Sequence, residues 1–71
     1  MKTMKTDQQI VAACNALARR FYAMLGYQVD EQFLFYEARH PQERGVWNMA
    51  VMAYEHIAGT DVEEALEALT E

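Results

Sequence analysis

Residues 40–59, HPQERGVWNMAVMAYEHIAG, carry both a start and a stop for a single helix, which leaves the segment little freedom to be anything else. Pro41 suits a first helical position, where its missing N–H goes unpaired anyway and its φ is already helical. Glu43, three residues after His40, is placed to reach back to the free amides of the first turn. Gly59 can take the left-handed conformation that ends a helix. At 100° per residue, Val46, Trp47, Ala50, Val51, Tyr54, Ile57 and Ala58 share one side and form the expected core stripe. The opposite side holds Gly45, Met49, Met52 and His56 at steps of four, three and four, and only Arg44, Asn48 and Glu55 make a narrow polar strip. A helix apolar over most of its circumference is normally covered on both sides. In 71 residues, one cover is the chain's own fold, and the other is expected to be a second protein.

A domain of this size removes only about 60% of its unfolded surface from water, so its stability is marginal without a staple or self-association. The single cysteine, Cys14, cannot form an internal bridge, and a lone thiol in an apolar stripe suits a reducing compartment. The cytoplasm is the expected location. MKTMKTDQQ has two lysines but no apolar run behind them, so no signal peptide is expected, and no stretch approaches the ~18 apolar residues of a membrane span.

The net charge of −5 is unevenly placed. Residues 1–44 hold all six basic side chains (Lys2, Lys5, Arg19, Arg20, Arg39 and Arg44) against five acids, a net of +1. Residues 45–71 hold six acids and no lysine or arginine, a net of −6. A basic partner would be drawn to the C-terminal end, and nucleic acid would be repelled by it.

Along the chain, residues 1–5 read as a frayed, mildly basic terminus. Thr6 and Gln9 match a capping box, and Asp7 places negative charge in the first turn. A first helix is expected from about Asp7 to Leu25, stopping at Gly26. Its core stripe is Ile10, Cys14, Leu17, Phe21 and Met24, broadened by Val11, Ala18 and Leu25, with Asn15 and Arg19 outside it. Ala12, Ala16 and Ala23 form a small-residue back beside Arg20. Residues 27–39 read as an ordered connector that wraps the helix pair, two of its aromatics filling core. Pairing of the Phe33–Tyr36 run as strands across a dimer axis is the alternative. The backbone at His40 is biased toward extended geometry by the proline that follows it. After Gly59, Thr60 and Glu63 form a second capping-box pattern supported by Asp61. A third helix over about 61–69 should turn Val62, Ala65, Leu66 and Leu69 inward, leaving Glu63, Glu64, Glu67 and Glu71 on an outer arc with no interleaved cations. The expected architecture is an all-α, three-helix subunit of a homodimer, residues 1–71 forming one helical domain.

The residues that could carry chemistry have plainer readings. Cys14 has no histidine near it in sequence, and a buried cysteine in an apolar stripe is packing. His40 and His56 lie at opposite ends of one helix and cannot share a metal within one subunit; His40 is the expected helix cap and His56 a surface or interface residue. Glu63, Glu64 and Glu67 lack the oxygen-rich loop that calcium requires. Gly26, Gly45 and Gly59 form no phosphate loop, and three short helices offer little cleft for paired carboxylates. The chain is therefore expected to be no enzyme, with no cofactor and no metal.

Three non-enzymatic classes remain. The second and third helices resemble a helix-turn-helix in outline, but the reading helix would turn glutamates toward phosphate and offer no arginine, lysine, asparagine or glutamine to base edges, so no nucleic acid is expected. A structural or assembly dimer is allowed by the apolar girdle. An inhibitor or adaptor would use the exposed methionine, aromatic and histidine surface to hold another protein. Methionines adapt their shape, and aromatics with arginine supply anchors. The interface candidates are Tyr36, Arg39, Gly45, Met49, Met52 and His56, beside the acidic face of Glu63, Glu64, Glu67 and Glu71.

The run HPQERGVWNMAVMAYEHIAGTDVEEAL, with the preceding GYQVDEQFLFYEARH, resembles small accessory proteins encoded by temperate bacteriophages of Gram-negative hosts, over about residues 20–69. In length and helical make-up the chain is similar to the phage anti-activator of quorum sensing, a small dimeric helical family. That resemblance implies binding to the DNA-binding domain of a LuxR-type transcriptional activator in the host cytoplasm, and to a pilus-assembly ATPase. It transfers no interface residue.

Overall fold

The computed structural model describes residues 6–70, the side chain of Thr70 excepted. The expectations for residues 1–5 and for Glu71 lie outside the described residues. Three α-helices and one 3₁₀ turn make up the fold, with no strand among the described residues. The Phe33–Tyr36 run is not a strand in the subunit: Phe35–Glu37 is a 3₁₀ turn, as an ordered connector requires.

Helix α1 covers Asp7–Met24. Its start is a reciprocal capping box: the Gln9 amide donates to Thr6 Oγ1 at 3.2 Å and the Thr6 amide donates to Gln9 Oε1 at 2.9 Å. Its end is tied by the Gly26 amide on the Ala23 carbonyl (3.0 Å) and the Tyr27 amide on the Tyr22 carbonyl (3.2 Å). This pair of bonds requires the positive φ of 95° that Gly26 adopts.

The core face of α1 is turned by roughly one residue step from the expected stripe, toward Val11, Asn15, Ala18 and Tyr22. Ile10 and Cys14 remain buried, but Met24 and Leu25 lie in the open at the helix end, and Asn15 is buried. The cause is the connector over residues 27–40, which doubles back along α1. Asn15 grips it at both ends of its amide: Nδ2 donates to the Phe33 carbonyl (2.9 Å), and Oδ1 accepts from the Phe35 amide (2.8 Å). One turn away, Arg19 donates to the carbonyls of Asp30 and Glu31. Asp30 makes its own turn, accepting from the Gln32 amide (2.8 Å).

Phe35 is the connector's anchor, fully buried at the head of the 3₁₀ turn Phe35–Glu37 and edge-on to both Tyr22 (5.5 Å) and Phe33 (4.8 Å). Burying one such ring contributes about 1.5–3 kcal/mol. Phe33 and Tyr36 are half-buried against the core, and Leu34 is exposed.

Helix α2 covers Pro41–Ala58, with His40 as its cap: Nδ1 accepts from the Gln42 amide at 3.3 Å. Gly59, at φ 67°, closes it. The two long helices run antiparallel. Gln42 Nε2, at the start of α2, donates to the Tyr27 hydroxyl just beyond the end of α1, while Glu55, near the end of α2, lies close enough to Cys14 to act on its thiol. Val46, Trp47, Ala50 and Val51 are buried, and Tyr54 is half-buried. Ile57, expected in that stripe, is 82% exposed, and Ala58 is also exposed, because the last turn of α2 projects beyond its cover.

Helix α3 covers Val62–Thr70 and lies mainly on α1. Its start corrects the expected Thr60–Glu63 box. Asp61 Oδ1 accepts from the Glu64 amide (3.0 Å), and Glu55 Oε2 reaches over from α2 to accept from the Val62 amide (2.9 Å). A carboxylate at a helix start is favoured by both free amides and dipole, so Asp61 displaces the weaker threonine cap. Val62 and Ala65 are buried and Leu66 is half-buried, whereas Leu69, expected inside, is exposed.

Candidate interaction surface

The two sides of α2 meet different surroundings. The inner side closes on α1 and the connector, where Trp47 lies beside Tyr36 with ring centroids 5.6 Å apart. The outer side carries Gly45, Met49, Met52 and His56, and among the described residues no element covers its methionines and histidine. Met49 is 55% exposed and Met52 72% exposed. A Cβ placed on Gly45 would meet no atom within 4 Å, so the glycine is not there for close packing inside the subunit. A methionine left in water forgoes the free energy that burying its side chain would supply, about 1.5–3 kcal/mol.

The six interface candidates do not form one patch. Gly45, Met49, Met52 and His56 share the outer face. Tyr36 lies on the inner side of α2, half-buried against Trp47, where it serves the core. Arg39 is exposed in the extended segment before His40. Arg44, in the polar strip beside the outer face, donates from Nη1 to the Tyr36 carbonyl at 3.4 Å.

Glu63, Glu64 and Glu67 are exposed on α3, as the outer arc requires. An open depression of about 480 Å³ lies at the α2–α3 junction, lined by Glu55, Gly59, Thr60, Asp61 and Glu63. Its carboxylates are partly committed, since Glu55 and Asp61 cap the amides of α3. Among the described residues no group of histidine, cysteine and carboxylate side chains is arranged to hold a metal ion.

Cys14 is fully buried, and its thiol is pushed up to about 12 from an ordinary 9.0, chiefly by loss of solvation and secondarily by the charge of Glu55. At neutral pH the sulfur keeps its proton and is a poor nucleophile. The Tyr22 hydroxyl is likewise pushed up by desolvation, then by Glu43 and Tyr27. No helix among the described residues is long and apolar enough to cross a membrane.

Sequence reasoning missed Asn15 and Arg19, the pair that fixes the connector. Their signal was an i, i+4 polar pair bordering the apolar stripe of a helix that faces a segment with many free backbone groups. Comparison with known proteins returns no matching family model, no matching curated protein and no matching solved structure for this chain.

Proposed function

We propose that this chain is a small non-enzymatic protein-interaction module whose working surface is the outer face of α2. The observation that carries the reading is the pair Met49 and Met52, both in solvent at the middle of a helix whose other side is core. Flexible thioethers at an interface adapt to a partner's shape, and their burial supplies the driving force. The acidic outer arc of α3 supports a partner with a basic surface, by steering and by complementarity at the rim.

The narrower reading is a phage-encoded inhibitor of a host regulatory protein. Its support is the resemblance of residues 20–69 to temperate-phage accessory proteins, and the occupant it implies is the basic DNA-binding domain of a LuxR-type activator, with a pilus-assembly ATPase as a second target. A carboxylate-rich, apolar-faced protein suits competition with DNA for such a surface. A DNA-reading role for α3 is disfavoured by Glu63, Glu64 and Glu67, which would face phosphate.

The test is titration of the chain into a LuxR-type activator bound to its operator. Release of DNA by the wild-type chain, lost in Met52→Asp with helicity retained, is the expected result. Undisturbed operator binding by both proteins would reject the inhibitor reading.

A further inference from the structure

The outer face of α2 is its own complement. Gly45, Met49, Met52 and His56 follow one another at spacings of four, three and four, a palindrome about the midpoint between Met49 and Met52. Lay a second α2 antiparallel on the first, with the two-fold axis at that midpoint. Each methionine then meets the other's partner methionine, and each histidine ring meets the uncovered backbone of Gly45. Among the described residues nothing lies within 4 Å of a Cβ built on that glycine, so the ring has room there. A two-fold interface requires self-complementarity of this kind, in which residue i meets j and j meets i.

Charge chooses between the two possible directions. Arg44 and Glu55 lie on the same flank of the outer face, near opposite ends of α2. In a two-fold parallel pair this flank falls on opposite edges of the seam in the two copies, so Arg44 meets no Glu55 of the other copy. The antiparallel pair sets Arg44 of each copy beside Glu55 of the other, twice per dimer. It also moves the basic start of α2, where Arg39 is exposed, toward the partner's acidic α2–α3 junction at Asp61 and Glu63. Each copy carries a net −5, so this arrangement is the one that offsets the overall repulsion between copies.

We infer that the chain forms a two-fold dimer through antiparallel pairing of α2, Gly45 of one copy against His56 of the other, with Arg44 and Glu55 as the flanking charge pairs. This rests on reading the outer face of α2 as a protein-docking face, and it names a second copy as the occupant of that face in the free chain, one that any target binding the same face must displace.

Cysteine cross-linking tests the register, because wild-type Cys14 is buried and leaves the background low. Gly45→Cys, His56→Cys and the double variant are treated with a short bis-maleimide. In the antiparallel pair, like positions lie about 16 Å apart along the helix axis, from eleven residues at 1.5 Å each. The double variant should give covalent dimer at least about tenfold faster than either single variant. Cross-linking of the single variants at equal or higher rate would overturn the antiparallel register. A chain that sediments at 8.2 kDa at high concentration, with no cross-linking in any variant, would overturn the pairing itself. Arg44→Glu, which also removes the exposed contact to the Tyr36 carbonyl and is therefore checked for an unchanged melting curve at a concentration too low for association, should weaken dimerisation about tenfold at low salt and less at high salt; an unchanged dimer at low salt counts against the flanking pairs. If dimerisation fails while Met52→Asp still abolishes binding to the activator, the self-pairing is wrong and the docking face stands.

Discussion

Helix α2 presents two apolar faces of opposite fate. On the inner face, Val46, Trp47, Ala50 and Val51 are all buried by α1 and the connector. On the outer face, Met49 and Met52 stand in water at the same height along the same helix. The residue types differ accordingly. The inner face uses β-branched and aromatic side chains with few rotamers, which suit a fixed, close-packed neighbour. The outer face uses thioethers with three rotatable bonds, which fit a surface that is not always present. Apolar character alone therefore does not separate core from docking face; stiffness does.

That contrast can be broken most directly at Trp47. Trp47→Ala is expected to cost about 3–5 kcal/mol, comparable with the whole stability of so small a domain, so the subunit should be largely unfolded by circular dichroism at 25 °C. A melting curve shifted by only a degree or two would move Trp47 to the surface and erase the difference between the faces.

A smaller loss is expected at Asn15, which ties the inner face's cover in place. Asn15→Ala strands the Phe33 carbonyl and the Phe35 amide, at about 1–3 kcal/mol for each group left without a partner. Urea unfolding should show the loss, and hydrogen exchange at residues 33–37 should accelerate more than exchange in the middle of α2. Equal acceleration across both segments would mean that Asn15 supports the whole fold rather than the strap.

Cys14 sharpens the comparison through pH. Its thiol ionises at about 12 in the folded chain and near 9.0 when exposed, so the unfolded chain releases its proton first. Stability is then full below about pH 9 and falls as pH rises toward 12, by about 1 kcal/mol over the first unit. Cys14→Ala should flatten this part of the profile, leaving the share due to Tyr22, whose hydroxyl is also pushed up. A profile identical in both proteins would show that the thiol is not buried in solution.

The smallest effect belongs to the outer face. Met52→Asp should change subunit stability, measured at a concentration too low for association, by no more than about 0.5 kcal/mol, as for an ordinary surface substitution. A loss of several kcal/mol would place Met52 in the core and remove the docking face.

Much of this was legible from local chemistry. His40, Pro41 and Gly59 mark the limits of α2, and Thr6 with Gln9 marks the start of α1, because caps and helix stops act within one turn of chain. The outer stripe of α2 was legible for the same reason, since its 4–3–4 spacing is a property of the helix alone. The faces at helix ends were not. Met24, Leu25, Ile57 and Leu69 satisfy the apolar pattern yet lie exposed, because periodicity fixes direction around an axis and not whether a neighbour extends far enough to cover it.

The connector was the least legible part. Its composition allowed strand or loop, and the choice fell to contacts made many residues away, by Asn15 and Arg19 on its backbone and by Tyr22 on Phe35. The start of α3 was decided in the same way, by the Glu55 carboxylate reaching across from α2 to the Val62 amide. The amino-acid sequence by itself determined three helices, the cap of α1, the start and stop of α2, and a middle helix with two apolar sides, one of them the core stripe. Only the tertiary structure decided which helix-end side chains are covered, which aromatics anchor the connector, and which polar groups are buried, because burial depends on what lies opposite each residue in space, and hydrophobic periodicity carries no record of that.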